Sequence, residues 1–371
     1  MQERNIRVMV VDDSAVIREM IGDFVDAAPG MEVVGKASDG KKAIDLFRQC
    51  QPDVVTLDIQ MPNMDGLATL RALLEIRPVP TVMVSALTQR GASETFEALE
   101  LGALDYVAKP ERGSQLDAIL GDELPRKIRS IHGANVAQII AARKKHAARV
   151  QAAPKARPVA HVEPRTNSAP AHFAESCIAI GISTGGPPAL TTLFSQLEPP
   201  LPPIVVVQHM PKGFTKAFSW RLNSQTAIEV KEAEEGDVLQ PNHAYLAPGG
   251  AHLRLVKFGS SVKCRIEDSE PVSSHKPSVD VMMTDAAAIF GPLCLGVIMT
   301  GMGRDGADGC GAIRAAGGYA MGQDQASSDV YGMNKVAFVE GKLDRQFSLG
   351  DGAALIRQQI AKLGRRHAVG V

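Results

Sequence analysis

The sequence predicts an α/β protein built from two doubly wound parallel-sheet domains joined by a flexible linker, and three observations carry that expectation. Short apolar runs without alternation recur along the chain: Ile6–Val11, Val54–Leu57, Thr81–Val84, Cys177–Ile182, Ile204–Gln208 and Leu295–Thr300. Runs of this kind read as strands buried on both faces, which requires a parallel sheet covered by helices. Stretches with helical spacing lie between them, giving a βα repeat. From about Ala141 to Glu175 the composition shifts to Ala, Pro, Lys, Arg and His, as in Ala153-Pro-Lys-Ala-Arg-Pro-Val159, which is the signature of an extended tether.

Taken in order, the first 131 residues hold five βα units. Ala43-Ile44, Leu46-Phe47 and then Ala68, Leu70 and Leu73-Leu74 mark helices between strands. The expected boundaries are a first domain over 1–135, a linker over 136–175 whose start can continue the last helix, and a second domain over 176–371. In the second domain, His243–Ala247, Pro248-Gly-Gly250 and the alternating run His252–Lys257 predict an antiparallel excursion. Ser278–Phe290 reads as a helix capped by Ser278, and Ala307–Ala316 as another.

Composition narrows the function classes. The 371 residues are 45% hydrophobic and 22% charged, ordinary for a soluble globular protein, and long enough for two separate cores. A formal net charge of -1 provides no global field for nucleic acid. Met1-Gln-Glu-Arg-Asn lacks the apolar core of a signal peptide, and no apolar run approaches the roughly 20 residues that span a bilayer. Five scattered cysteines without a Cys-x-x-Cys pair fit reduced thiols, so a cytoplasmic location is expected.

Chemistry-bearing residues gather at strand ends in both halves. In the first, Asp12 and Asp13 follow one strand run, Asp58 ends another, Ser85 a third and Lys109 a fourth. Carboxylates brought together there repel one another, and a hard cation such as Mg²⁺ with oxygen ligands resolves the conflict. One carboxylate can then attack phosphorus while Lys109 and Ser85 meet the phosphoryl oxygens. Each residue alone would read as a solvated loop residue or helix cap; five at the strand ends of one domain do not. Val11-Asp-Asp-Ser14, Leu57-Asp-Ile-Gln-Met-Pro-Asn-Met-Asp-Gly-Leu67, Ser85-Ala86 and Ala108-Lys-Pro110 resemble the receiver domain of two-component response regulators over about residues 5–130. The resemblance implies that Asp58 accepts a phosphoryl group from a histidine kinase. It implies Mg²⁺ held by Asp13, Asp58 and the Gln60 carbonyl, with Asp12 acting partly through water. It also implies a switch formed by Ser85, Tyr106 and Lys109, with Tyr106 moving inward on phosphorylation and a cis Lys109–Pro110 bond.

In the second half, Ser183, His209 and Asp305 each lie just past an apolar run, the parts of a serine hydrolase delivered to one rim. Gly181-Ile-Ser-Thr-Gly-Gly-Pro187 permits a tight strand-to-helix turn that exposes the serine, with Pro187 and Pro188 in the first helical turn. A phosphate-cradling loop is the other reading of these glycines, but neither a Walker lysine nor Gly-x-Gly-x-x-Gly is present. His209 is preferred over His243, His252 and His275 because it alone directly follows a fully apolar strand. Asp305 could equally cap a helix. A calcium loop is excluded, since Ala307 stands where an oxygen ligand is needed.

Gly181–Pro187, Gln208–Pro211, Ser274-His-Lys-Pro-Ser-Val-Asp280 and Thr300–Gly306 are together similar to the chemotaxis protein-glutamate methylesterase family, over about residues 176–365. The resemblance implies Ser183 as nucleophile, His209 as base and then acid, Asp305 as orienter, and Thr184 and the Met302 backbone as oxyanion support. Lys276 stands where the family carries arginine, which keeps the charge without the planar fork. The implied activity is phosphorylation-regulated hydrolysis of glutamate methyl esters on the cytoplasmic helices of chemoreceptors, with deamidation of glutamines by the same route. The esterase needs no cofactor, and neither nucleic acid nor membrane insertion is expected. A triad hydrolase of a non-chemotactic sensory system, or a non-enzymatic response regulator, are the alternative readings.

Overall fold

In the computed structural model of the chain, residues 4–86, 88–109, 116–152 and 173–369 are described, and the chain divides into two compact units, Met1–Arg143 and Lys144–Val371. The first unit alternates β1 (Ile6–Val11), α1 (Ala15–Ala27), β2 (Met31–Ala37), α2 (Gly40–Cys50), β3 (Val54–Asp58), α3 (Gly66–Ile76), β4 (Thr81–Ser85), α4 (Gln89–Leu101), β5 (Asp105–Ala108) and α5 (Leu116–Ile131). These are the five expected βα units. Their strands form a parallel sheet of order β2-β1-β3-β4-β5. Ser14, Asp39, Asp65 and Thr88 cap α1 to α4, each side chain accepting the amide three residues on. Each such cap satisfies one orphan donor and is worth about 1 kcal/mol. Strand order reverses at β1, and an open parallel sheet forms its crevice at that point, beyond the carboxyl ends of β1 and β3.

A helix, α6 (Val136–Ala152), occupies the start of the segment expected to be linker. Its first half belongs to the first unit: Val136 is buried and Arg143 donates to the carbonyls of Leu99 and Ala103. Val136, Ile139 and Ile140 supply an apolar face, and the proline-rich composition begins only at Pro154. The expected tether over 153–172 and the expected cis Lys109–Pro110 bond lie outside the described residues.

The second unit contains β6 (Cys177–Ile182), α7 (Gly186–Phe194), β7 (Ile204–Gln208), α8 (Phe214–Gln225), β8 (Glu229–Glu232), β9 (His243–Leu246), β10 (His252–Phe258), β11 (Ser261–Glu267), α9 (Val279–Phe290), β12 (Cys294–Ile298), α10 (Ala307–Ala315), β13 (Tyr319–Gln323), α11 (Met333–Val339), β14 (Arg345–Phe347) and α12 (Gly352–Val369). Seven strands form a parallel sheet of order β14-β13-β12-β6-β7-β9-β8. Order reverses at β6, which lies between β7 and β12.

The antiparallel excursion is real but its partners differ from the expectation. β9 is an interior strand of the parallel sheet, and β10 pairs instead with β11 through the Gly259-Ser260 turn. β9 is buried at Ala244, Tyr245 and Leu246, as an interior strand must be, while the exposed end of β10 at Lys257 and Phe258 suits a hairpin. All five cysteines are free thiols. Among the described residues, no helix is long and apolar enough to cross a membrane.

One close approach in the first unit sets a test. A Cβ added at Gly66 would lie 2.2 Å from the Asp58 carbonyl oxygen and 2.7 Å from Ile59 Cα, backbone atoms that cannot swing aside. Gly66→Ala is expected to lower the stability of the first unit by about 1–3 kcal/mol, read as an earlier midpoint in urea unfolding; an unchanged midpoint would show that the β3–α3 loop is more pliant than its packing.

Candidate active site

Adjacent strands bring the three second-unit residues to one rim. Ser183 is the first residue past β6 and His209 the first past β7; these strands pair in parallel with Ile182 opposite Gln208. The His209 amide donates to Ile182 O (3.1 Å), and the Ser183 amide donates to Thr300 O (3.0 Å), beyond β12 on the other side. Gly301 permits this crowding, since a Cβ there would lie 2.7 Å from Ser183 Cβ. Gln208, buried at the end of β7, donates from Nε2 to the carbonyls of Ser183 (3.0 Å) and His209 (3.1 Å), tying the two turns together.

Asp305 is fully buried and bonded to His209, Nε2 to Oδ2 at 2.8 Å. Its carboxylate also accepts the Val279 amide (2.7 Å), the Asp280 amide (3.0 Å) and the Ser278 hydroxyl (2.8 Å). Asp305 therefore caps the N-terminus of α9 from another element, where the helix dipole favours negative charge. Ser278 holds the N-cap position as expected, but its hydroxyl serves Asp305 and the helix amides go to Asp305 instead. The arrangement is reciprocal, because Asp280 Oδ1 accepts the amides of Gly306 (2.9 Å) and Gly309 (2.7 Å) at the start of α10.

The two carboxyls are driven apart in acidity. Burial alone would push Asp305 up, but the His209 hydrogen bond and charge, joined by the Asp280 and Val279 amides, outweigh it and hold Asp305 well below the usual carboxylate range. Burial raises Asp280, the Gly309 amide opposes that, and the Asp305 charge adds to the rise. Asp305 thus carries the negative charge and can only accept hydrogen bonds, so the proton in its bond to His209 sits on Nε2. In the neutral ring the lone pair is then on Nδ1, which is buried without a hydrogen-bond partner. That is the inverse of the usual serine-protease wiring, in which Nδ1 faces the carboxylate.

The rival histidines fall into place around this ring. His275 stacks on His209, with centroids 3.9 Å apart and planes 14° from parallel. His252 is buried and bonds the Ser278 amide. His243 lies elsewhere, pairing with Glu229 at 3.1 Å. Donor atoms of His209, His275 and Asp305 lie within 4.8 Å of one another. Near-parallel rings cannot aim both lone pairs at one ion, and Asp305 already accepts four bonds, so the geometry does not suit a metal centre. Thr184 is buried, its carbonyl accepting the Thr300 hydroxyl (2.9 Å), and Met302 is half-buried. The Thr300 amide is itself held by Gln323 Oε1 at 3.0 Å.

The first unit's rim gathers a separate set. Asp12 and Asp58 are buried, Asp13 is exposed, and one oxygen from each lies within 4.8 Å of the others. Lys109 Nζ stands 2.9 Å from Asp12 Oδ2 and 2.7 Å from Asp58 Oδ2. These two oxygens are within ion-pair reach yet lack a well-angled hydrogen bond, so the donor set is hard, anionic and unsatisfied. That fits a divalent cation. Burial pushes Asp58 up to about 6, with Lys109 pulling down and Asp12 pushing up. The Gln60 amide donates to Asp58 Oδ1 (3.1 Å), while its side chain turns out to Glu94. The Ser85 hydroxyl donates to Gly91 O at 3.2 Å. Tyr106, expected to move inward on phosphorylation, is buried here, with Lys127 Nζ 5.1 Å from its ring centroid.

Gln208, Gly301 and Asp280 lie in the segments that carry the resemblance, but the sequence assigns them no role and does not reveal the His252–Ser278 link; nothing in it says that the start of α9 will be capped from 25 and 26 residues away.

Comparison with known proteins returns two family profiles. One described as CheB methylesterase matches residues 178–356 and one described as response regulator receiver domain matches 8–121. A protein-glutamate methylesterase/protein-glutamine glutaminase of Burkholderia lata is 42% identical over 365 residues, covering 98% of this chain and 98% of that one. One from Koribacter versatilis is 45% identical over 363 residues, covering 97% and 98%. The solved CheB methylesterase catalytic domain of Thermotoga maritima is 37% identical, covering 49% of this chain and 96% of that one, with a TM-score of 0.48.

Asp305→Asn should cut turnover by about 10³–10⁴-fold, because an amide cannot hold the imidazolium and turns donors toward donors. The folded-state pKa of Asp305 lies below its unfolded value, so its stabilisation is full above about pH 4 and is lost as pH falls toward the folded pKa. The stability gap between wild type and variant, measured by denaturant unfolding, should therefore narrow below about pH 4; a gap constant to pH 2 would count against a charged Asp305.

Proposed function

The chain belongs to the CheB methylesterase family, and on that premise we propose that Ser183, His209 and Asp305 are its catalytic triad. The activity is hydrolysis of glutamate methyl esters on chemoreceptors, with deamidation of receptor glutamines, under control of receiver phosphorylation. The single observation that carries the residue assignment is the 2.8 Å bond from His209 Nε2 to a buried Asp305 at the rim where Ser183 emerges.

The chemistry follows from the wiring. Ser183 Oγ attacks the side-chain carbonyl carbon while its proton passes to His209 Nδ1, the nitrogen with the lone pair. The imidazolium is stabilised through Nε2–H by Asp305, which stays ionised because three further donors hold it. Negative charge on the carbonyl oxygen is met by Thr184 and the Met302 backbone, the oxyanion support that the family resemblance implies. His209 then protonates the leaving group, methanol from an ester or ammonia from a glutamine. Water, deprotonated at Nδ1, releases glutamate and restores Ser183. Apo catalytic hydrogen bonds are often long, so the unbonded Nδ1 is compatible with this role.

In the first unit, Asp58 is the phosphoryl acceptor and a histidine kinase the donor. Asp12, Asp13, Asp58 and the Gln60 carbonyl would hold Mg²⁺, which neutralises phosphoryl charge when bound. Lys109 is positioned to contact the phosphoryl group, and Ser85 and Tyr106 are the switch pair. Residues 1–135 together with the first half of α6 act as the receiver, the stretch from there to 175 as the connection and 176–371 as the esterase. The targets, helices on the cytoplasmic side of receptors, place the work in the cytoplasm.

Ser183→Ala should reduce methanol release from methylated receptor membranes to background while leaving uptake of phosphate from a small phosphodonor intact. Substantial release by this variant would remove Ser183 from its role. Asp58→Asn should show no added phosphate by mass spectrometry and an esterase rate that phosphodonor no longer raises; a phosphorylated receiver in that variant would displace the acceptor site.

A further inference from the structure

We propose that His275 is a positioning residue for the His209 imidazole, held against the ring by a strap, residues 270–278, whose two ends are fastened to the buried His252. The proposal rests on the triad reading and adds to it a means of fixing the base.

One hydrogen bond does not orient an imidazole. The bond from His209 Nε2 to Asp305 fixes a point and a direction, but the ring can still turn about that axis. The Nδ1 lone pair lies in the ring plane, so this rotation decides whether it faces Ser183. His275 removes that freedom, because its ring lies 3.9 Å away and 14° from parallel. The stack itself is anchored, since His275 Nδ1 donates to Ser273 O at 2.6 Å.

The strap is shaped for this presentation. Val272 and His275 exchange amide hydrogen bonds (3.1 and 2.9 Å) around Ser273 and Ser274, whose φ values are 52° and 63°. This is a two-residue turn with both central residues left-handed, a geometry that favours Asn-Gly and that serines adopt at a cost. Strain of that kind persists where surrounding contacts over-determine it. Besides Gly250, whose amide donates to Lys276 O (3.3 Å), and Asp268, which pairs with Lys276 (2.7 Å), one residue at the start of β10 holds both ends: His252 Nε2 donates to Glu270 O (3.1 Å), and His252 Nδ1 accepts the Ser278 amide (3.1 Å). A single buried imidazole thus closes both ends of the strap. Ser278, at the closed end, also delivers its hydroxyl to Asp305.

The chemistry of the two fastening bonds supplies the test. At 252, asparagine can accept near the Nδ1 position and glutamine can donate near the Nε2 position, but neither does both. With saturating phosphodonor and methylated receptor membranes, His275→Ala should lower kcat about tenfold with KM within twofold, a small misplacement of a catalytic group being worth up to about 10²-fold. His275→Phe, which keeps a flat ring face, should recover kcat to within about threefold. His252→Asn and His252→Gln should each lower kcat, and combining either with His275→Ala should fall short of the product of the single losses, because both act through one strap. The downfield proton resonance of His209 Nε2–H should broaden in His275→Ala and sharpen again in His275→Phe. Unchanged kcat in His275→Ala overturns the proposal. So does a change confined to KM, which would make His275 a substrate contact, or a phenylalanine variant as slow as alanine. Ser183→Ala run alongside separates this from failure of the triad: an active Ser183→Ala sinks the triad, whereas an inactive one beside a fully active His275→Ala sinks only the positioning role.

Discussion

The second unit is organised around one buried carboxylate. Asp305 accepts four hydrogen bonds, three from the start of α9 and one from His209. An ionised carboxylate at zero exposure is costly unless every lone pair is used. The fold meets that cost by borrowing the unsatisfied amides that any helix start leaves behind. The return gift, Asp280 to the amides of α10, locks the β12–α10 turn that carries Asp305. Two helix starts and one imidazole therefore share a single electrostatic solution, and the oxygens that hold the helix start also hold the His209 ring.

The first unit solves a comparable problem differently. There Asp12 and Asp58 face one another with Lys109 between them, and a helix start helps only in part, the Ser14 amide before α1 donating to Asp12 Oδ1 at 2.9 Å. Two of the carboxylate oxygens are left without a proper hydrogen bond. Unsatisfied charge is what a site needs if it is to take up a cation and a phosphoryl group and release them again. A saturated anion suits a permanent orienter, and an unsaturated pair suits a switch.

Much of this was legible in the residues. Strand positions followed from Cys177–Ile182, Ile204–Gln208 and their counterparts, because strands buried on both faces must be uniformly apolar. Site residues followed from the rule that parallel sheets deliver chemistry past their carboxyl ends. Local reasoning failed where partners are chosen by tertiary packing. The run His252–Lys257 looked like the return of His243–Ala247, yet β9 enters the parallel sheet and β10 finds β11. The linker was expected from 136 with its start free to continue the last helix; Val136–Ala152 is a helix, and its first half packs in the first unit. Asp305 was foreseen both as partner of His209 and as helix cap; that it bonds His209 while capping a distant helix depends on how α9 and α10 meet.

The orientation of the His209 ring has a mechanical consequence. Nδ1 is bonded to the ring carbon that carries Cβ, so it lies close to the main chain, whereas Nε2 sits at the far tip. Rocking the side chain sweeps the tip through a wide arc and moves the near nitrogen little. Here the tip is moored to Asp305 and the working nitrogen is on the short lever arm. A base on a short lever arm cannot reach out for its nucleophile. The serine has to be brought to it by the main chain, and the bare Cα of Gly301 behind Ser183 is where the fold makes room for that approach.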